Sequence, residues 1–328
     1  ATPQLENTLY RHALHTDSVG EARPLAEQIA VAEKAVGSDL RLHAVRPGLV
    51  DGDTTRVMFA DPALGPSENR AIFVDPVSLE VRGDMTVYGT SGILPLRQTI
   101  DYLHTSLMLG DVGRLYSELA ASWMWVAALG GIALWFYTRP KRRRNTRFQN
   151  RRRVHVALGW VLLGGMLLFS ATGLTWSQWA GGNVDSLRTR MNWLTRQVNT
   201  TLSGVPAIMD EHAEHRGHYS GMMMPAMVMD PTLFDDVLHA ARTAGIDASK
   251  LEIRPAKTAE QAWTVTEIDR SWPTQVDAVS VDPHSLHILD RTRFEDFPLM
   301  AKLTRWGVDF HMGILFGLAN QLLLIAFG

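Results

Sequence analysis

Apolar and polar positions divide the chain into two kinds of segment. The first kind is uncharged and long. Leu119 to Tyr137 runs 19 residues without Asp, Glu, Lys or Arg, and Val154 to Asn183 is equally free of them. Phe310 to Gly328 forms a third uncharged stretch, interrupted by Asn320 and Gln321. At 1.5 Å per residue such runs cross a hydrocarbon core of about 30 Å. Three membrane spans are therefore expected.

The second kind alternates with period two between turn residues. Arg41–Val45, Thr55–Phe59, Ala71–Val74 and Glu80–Arg82 read as strands. So do Leu251–Arg254, Ala262–Glu267, Ala278–Val281 and His287–Leu289. Each set follows a helical pattern, Leu25–Val36 or Leu233–Ala244. Asp75-Pro76 and Asp282-Pro283 start turns between strands.

The two sets repeat one another. VDPVSLEVR (74–82) matches VDPHSLHIL (281–289) at an offset of 207, and GSDLRLHAVRP (37–47) matches GIDASKLEIRP (245–255) at 208. Without a gap, His104 then falls on His311, Gly110 on Gly317 and Leu115 on Leu322. The expected fold class is an integral membrane α-helical bundle plus α+β, built as two parallel repeats. Each repeat is a small extracytoplasmic helix-on-antiparallel-sheet unit followed by a His-bearing membrane helix. The second copy follows a span, so a fourth, N-terminal span is expected before Ala1. The boundaries read as follows: 1–95 is the first α+β unit, 96–138 a His-bearing helix and span, and 139–153 a basic loop. A span at 154–180 leads to a His/Met-rich insertion at 181–230. The second α+β unit occupies 231–299 and a His-bearing span 300–328.

Charge orients this arrangement. Nine of the 32 Lys and Arg lie between Arg139 and Arg153, with no acid among them. The rest of the chain holds 23 basic against 34 acidic residues, a net of −11. A basic loop between two spans belongs in the cytoplasm, which puts both α+β units on the other side, the periplasm of a Gram-negative cell. Trp123, Trp125, Trp135, Trp176, Trp179 and Trp306 fall near the predicted span ends, as an aromatic belt does. Acidity elsewhere argues against nucleic acid as a partner. The chain has no cysteine. That excludes iron–sulfur clusters, covalent haem attachment, thiolate zinc and thiol nucleophiles. No Gly-x-Ser-x-Gly, P-loop or His-Glu-x-x-His motif occurs.

Paired units with VDPxSL turns, the R-x-x-x-H that opens a span (Arg151 to His155) and two H-x5-G motifs (His104 to Gly110, His311 to Gly317) resemble the PepSY-associated transmembrane proteins. Among these the chain looks most like the FoxB-type inner-membrane ferric-siderophore reductases. The resemblance implies PepSY-like units, haem b held by membrane histidines, and reduction of iron in an imported siderophore.

Ionisable residues in or near spans are functional candidates by default. His104, His155 and His311 are the candidate axial ligands, and bis-His ligation suits electron transfer because it leaves no open site on the iron. Gly159, one turn past His155, leaves room for a flat macrocycle. Arg151, Arg152, Arg153 and Arg305 are candidate partners for haem propionates, with solvent or lipid headgroups as the competing role. His155 belongs at the opposite face from His104 and His311, so two haems are expected. His104 and His311 would share the outer one, and His155 with a histidine of the expected N-terminal helix the inner one. Inert packing or interfacial roles remain open for each.

Residues 209–229 add His212, His215 and His218 at every third position, then Met222, Met223, Met224, Met227 and Met229. Imidazole with thioether suits copper, and imidazole alone suits zinc, nickel or iron. A mobile surface loop or a Met-rich lid is the alternative.

The leading expectation is a multi-pass oxidoreductase of the bacterial inner membrane. It would take electrons from a cytoplasmic or membrane donor and deliver them to a ferric siderophore. A non-enzymatic membrane-anchored binding module, or a copper- or zinc-handling protein using the His/Met segment, would fit the same spans.

Overall fold

The structure is a computed structural model, and it describes residues 2–37, 40–138, 147–175, 177, 179–202 and 230–327. In chain order the helices and strands are α1 (Thr2–Leu9), α2 (Arg11–Leu14), α3 (Leu25–Val36), β1 (Arg41–Arg46), β2 (Thr55–Ala60), β3 (Glu68–Val74) and β4 (Val81–Tyr88). Then come α4 (Pro95–Ser106), α5 (Gly110–Tyr137), α6 (Arg147–Leu174), α7 (Trp179–Arg190) and α8 (Leu233–Thr243). The chain ends with β5 (Leu251–Arg254), β6 (Trp263–Glu267), β7 (Ala278–Val281), β8 (Ile288–Thr292), α9 (Leu299–His311) and α10 (Gly317–Phe327). Two compact units result. One takes residues 2–99 and 195–298, the other 100–194 and 299–328.

The first unit is built on one sheet of eight strands in the order β4-β3-β2-β1-β5-β6-β7-β8, antiparallel throughout. Each of the eight strands overlaps an expected segment, but β3 starts earlier, at Glu68, and β4 and β8 run on to Tyr88 and Thr292, beyond the expected ends at Arg82 and Leu289. The segments expected as two separate α+β units instead share this sheet, joined where Val45 of β1 meets Ile253 of β5. Each four-stranded set would otherwise leave its first strand as an open edge with unpaired N–H and C=O groups, and pairing the two edges removes that cost. Alternate residues Val57, Phe59, Ile72, Val74, Ile253, Val265 and Val279 face α3 and α8, whose Ile29, Ala32, Phe234 and Val237 complete a core of nearly water-free side chains. On the other face Met58, Ala71, Phe73 and Val87 pack beneath Ala13 of α2 and Leu94.

The repeated VDPxSL segments adopt one turn twice. Leu79 (φ 62°) and Leu286 (φ 57°) both take the left-handed conformation. Asp75 N–H donates to Glu80 C=O at 2.9 Å, and Asp282 N–H to His287 C=O at 3.0 Å. Burial pushes the Asp75 carboxyl up, but hydrogen bonds from the Ser18 and Thr16 hydroxyls and from the Val77 and Ser78 amides outweigh it and hold it well below the usual carboxylate range.

Among the described residues, the two helices long and apolar enough to cross a membrane, α5 and α6, belong to the second unit. They form an antiparallel pair. Ser170 Oγ donates to Ala121 C=O at 2.7 Å near one end, and Arg152 donates to the Thr138 hydroxyl (2.6 Å) and carbonyl at the other. Trp135 and Trp160 meet edge to face between them, ring centroids 5.2 Å apart. The third expected span differs from the sequence reading. Phe310 to Gly328 is not one helix: α9 ends at His311, and α10 starts only at Gly317. The absence of charged residues set the expectation, but two glycines in left-handed conformation, Gly313 (φ 72°) and Gly317 (φ 54°), break the helix.

Candidate functional site

Helix breaks place the histidines. His104 lies in the last turn of α4. The chain then passes through left-handed Leu107 (φ 50°), Met108 (φ 56°) and Gly110 (φ 60°) before α5 begins. Left-handed backbone is sterically costly for leucine and methionine, so this turn is held under strain by its surroundings. Part of the hold is Gly113. A Cβ there would sit 1.7 Å from the Ser106 carbonyl oxygen, so only glycine lets α5 fold back against the end of α4.

His311 likewise lies in the last turn of α9, as its final residue. Here Gly313 N–H donates to Phe310 C=O (3.0 Å) and Ile314 N–H to Asp309 C=O (2.9 Å), a Schellman ending with Gly313 in the left-handed place. Asn320 Nδ2 donates to Phe310 C=O at 2.9 Å and Gln321 Nε2 to Gly313 C=O at 3.2 Å. The two amides that interrupt the apolar stretch are therefore what supply side-chain hydrogen bonds to its broken backbone.

The outcome is a pair of imidazoles. His104 and His311 stand with ring centroids 6.1 Å apart and planes inclined at 51°. His104 is exposed, and His311 is half-buried. His311 is gripped from α6. Its Nδ1 lies 3.0 Å from Thr172 Oγ1, and Phe169 meets its ring edge on at 5.5 Å. Thr172 has one hydroxyl proton, and its oxygen sits 2.8 Å from Leu168 C=O, which takes that proton. The hydroxyl oxygen then accepts from Nδ1–H, which leaves Nε2 as the unprotonated ring nitrogen of His311. Gly307 makes this contact close, because a Cβ there would meet Thr172 Cγ2 at 3.2 Å.

The donor set limits the metal. Among the described residues no group of three or more His, Asp or Glu is placed to hold a bare ion. Two imidazoles suffice for iron whose other four ligands are porphyrin nitrogens. Two rings facing across one metal, each bonded at about 2.0 Å, have centroids roughly 6.3 Å apart. The observed separation, 6.1 Å, is close to that value, so the spacing of the two rings fits bis-His haem iron.

His155 stands apart from the pair. It is exposed near the start of α6, 17 residues before Thr172, which is about 25 Å along the helix. One iron cannot be shared across that distance. Gly159 keeps open space beside it, with nothing within 4 Å of an added Cβ. Arg305 lies 3.9 Å from the fully buried Asp309 carboxylate, and Arg152 caps the end of α5. Both have protein partners. Arg151 is exposed, and Arg153 also interacts within the protein. His212, His215, His218 and the methionines after them lie outside the described residues.

The model of the family described as the PepSY-associated TM region matches residues 1–328, the whole chain. The chain belongs to that family. No curated protein matches it. Membership and two membrane-capable helices make it a membrane-associated α+β protein. Within this family member, sequence reasoning missed Thr172, Phe169 and Gly307. A hydroxyl in an apolar helix was the available signal for Thr172. Phe169 and Gly307 carry none, since apolar and small residues are ordinary in membrane helices.

Proposed function

We propose that this PepSY-associated transmembrane protein is a haem-bearing reductase of the bacterial inner membrane. It carries single electrons from a cytoplasmic or membrane donor to the Fe(III) of a siderophore on the periplasmic side, and iron leaves as Fe(II). The close approach of His104 and His311, with His311 oriented by Thr172, carries this reading.

Haem b, when bound, supplies reversible one-electron iron chemistry. The chain's part is to hold and orient. His104 and His311 would ligate one haem, and His155, beside the opening at Gly159, would serve a second toward the basic loop. Thr172 fixes the ring angle and basicity of His311. Phe169 and Phe310, stacked at 6.3 Å, shield that side of it. No proton donor, acceptor or nucleophile is needed for outer-sphere reduction. Reduction releases the metal because hard oxygen ligands bind Fe(III) far more strongly than Fe(II).

The basic stretch between α5 and α6 belongs in the cytoplasm, which puts the eight-stranded sheet in the periplasm. The H-x5-G breaks at equivalent places support a duplicated architecture in which residues 300–328 form a third, broken membrane element. Protein purified from haem-replete cells should show a Soret band that moves on dithionite addition. His104→Ala or His311→Ala should remove one haem and spare the other, and His155→Ala the reverse. Colourless protein, or haem content unchanged by all three substitutions, refutes the proposal.

A further inference from the structure

Arginines of the sheet unit hold carboxylates by one edge of the guanidinium. Arg70 places Nε and Nη2 on the two oxygens of Asp84 at 3.0 and 2.6 Å, and Arg23 places the same two nitrogens on Glu27 Oε2 at 3.0 and 2.7 Å. Two parallel N–H groups match the spacing of a carboxylate's oxygens. Arg56 of β2 has this edge and no carboxylate on it.

Arg56 is held in position. Phe73 is its register partner on β3, and the guanidinium carbon lies 4.9 Å from the centroid of that ring. Nη1 donates to Gly92 C=O at 2.7 Å. Nε and Nη2 have no partner among the described residues, and neither is sealed from solvent. The free edge is the one that Arg70 and Arg23 use.

The surroundings are cationic. Arg46 stands opposite Arg56 in the pairing of β1 with β2, and like charges so placed repel. Arg46 commits its donors to Glu252 and to the carbonyls of Ser91 and Thr90. Glu252 serves Arg46 and Arg254 directly, and Glu6 pairs with Arg97, so neither acid reaches Arg56. Burial, then the Arg46 charge, pull the Arg56 guanidinium down to about 9. A largely buried cation without a counter-ion is costly, and an anion from outside the chain lowers that cost.

The geometry points to a binding site for a carboxylate ligand on the Phe73 face of the sheet, its two oxygens on Nε and Nη2 of Arg56. Chloride offers the charge without two coplanar acceptors, and acetamide a planar acceptor without the charge. The site is independent of the haem reading.

The test follows arginine Nε–H signals by NMR in the full chain in detergent, as acetate, chloride or acetamide is added at constant ionic strength. The Arg56 signal is assigned through its contact with the Phe73 ring. Acetate should move it saturably, and chloride and acetamide should act at least about tenfold more weakly. The Arg23 and Arg70 signals, whose edges are already filled, should stay in place. Arg56→Lys keeps the charge but removes the fork, and should weaken acetate binding in calorimetry at least about tenfold; its melting temperature checks folding separately. A small free acid and an acidic side chain present the same group. Comparing acetate with Nα-acetyl-aspartate amide assigns the source, and binding of either supports the site. No saturable shift, equal shifts with acetate and chloride, a shift shared by Arg23 and Arg70, or a folded Arg56→Lys protein that binds acetate as the parent does overturns it.

Discussion

Replacing Glu252 with glutamine tests how the two strand sets are locked together. Glu252 of β5 is buried. Its Oε2 accepts from Arg46 Nε of β1 at 2.6 Å, and its Oε1 from Arg254 Nε at 2.5 Å. Arg46 also donates to the carbonyls of Ser91 and Thr90, both at 2.9 Å, so the carboxylate anchors the loop that leads into α4. Burial pushes the Glu252 carboxyl up, but Arg46 and Arg254 outweigh it and bring it down from 4.5 to about 2. At about 1.4 kcal/mol per tenfold change, the drop corresponds to about 3 kcal/mol favouring the folded state when Glu252 is ionised. A depressed folded value gives stability that is complete above 4.5 and is lost as pH falls from there toward 2. Glu252→Gln should therefore cost about 3 kcal/mol at pH 7, within the range for a buried pair that loses one member. The difference from the parent should shrink steadily between pH 4.5 and pH 2. Urea titration of the solubilised protein, followed by far-ultraviolet circular dichroism at stepped pH, measures both. A cost below about 1 kcal/mol at neutral pH, or one that does not change with pH, refutes the reasoning. Replacing Arg46 and Glu252 together by methionine should recover only part of the loss, because Arg254 and the largely buried Arg56 still lose the Glu252 carboxylate.

Three more outcomes follow from the membrane unit. Gly113→Ala should lower stability by about 3 kcal/mol, since its Cβ would overlap the Ser106 carbonyl; Gly130→Ala, which meets nothing within 4 Å, should be neutral or slightly stabilising in the same thermal melt. Asn320→Leu should cost about 1 kcal/mol through loss of its bond to Phe310 C=O, read as a lower melting temperature. Thr172→Val keeps the shape but removes the acceptor for His311 Nδ1–H, and should weaken haem at the His104/His311 site roughly 10- to 100-fold while sparing the other haem in a spectral titration.

The extent to which the sequence foretold these features follows from the range of the signals. Alternation is local, so the existence of the eight strands and the α3 boundaries were legible, while most of β4 and β8 fell outside the expected segments. The junction between β1 and β5 was not, because Arg46 and Glu252 are 206 residues apart and neither is unusual in its own window. The H-x5-G spacing singled out His104 and His311, and the offset of the repeat made them equivalent. Their approach in space depends on two left-handed turns that hydropathy does not register, since a window average counts composition and ignores backbone conformation.

The two turns solve one problem differently. At the α4–α5 break the backbone serves itself: Leu107, Met108 and Leu109 N–H groups donate to the carbonyls of Leu103, Tyr102 and Ser106. These three residues are exposed, and two of them bear the strain of positive φ. At the α9–α10 break glycine removes that strain, and fully buried Asn320 and nearly buried Gln321 add side-chain donors. Burying two amides is costly wherever water could serve the same carbonyls, and worthwhile only where it is excluded. The amides thus mark the α9–α10 turn as the drier of the two. That agrees with a half-buried His311 held in a fixed orientation by Thr172 and an exposed His104 able to adjust to meet it. Under the proposed function, one fixed and one adjustable imidazole would let a flat cofactor enter between the two helices.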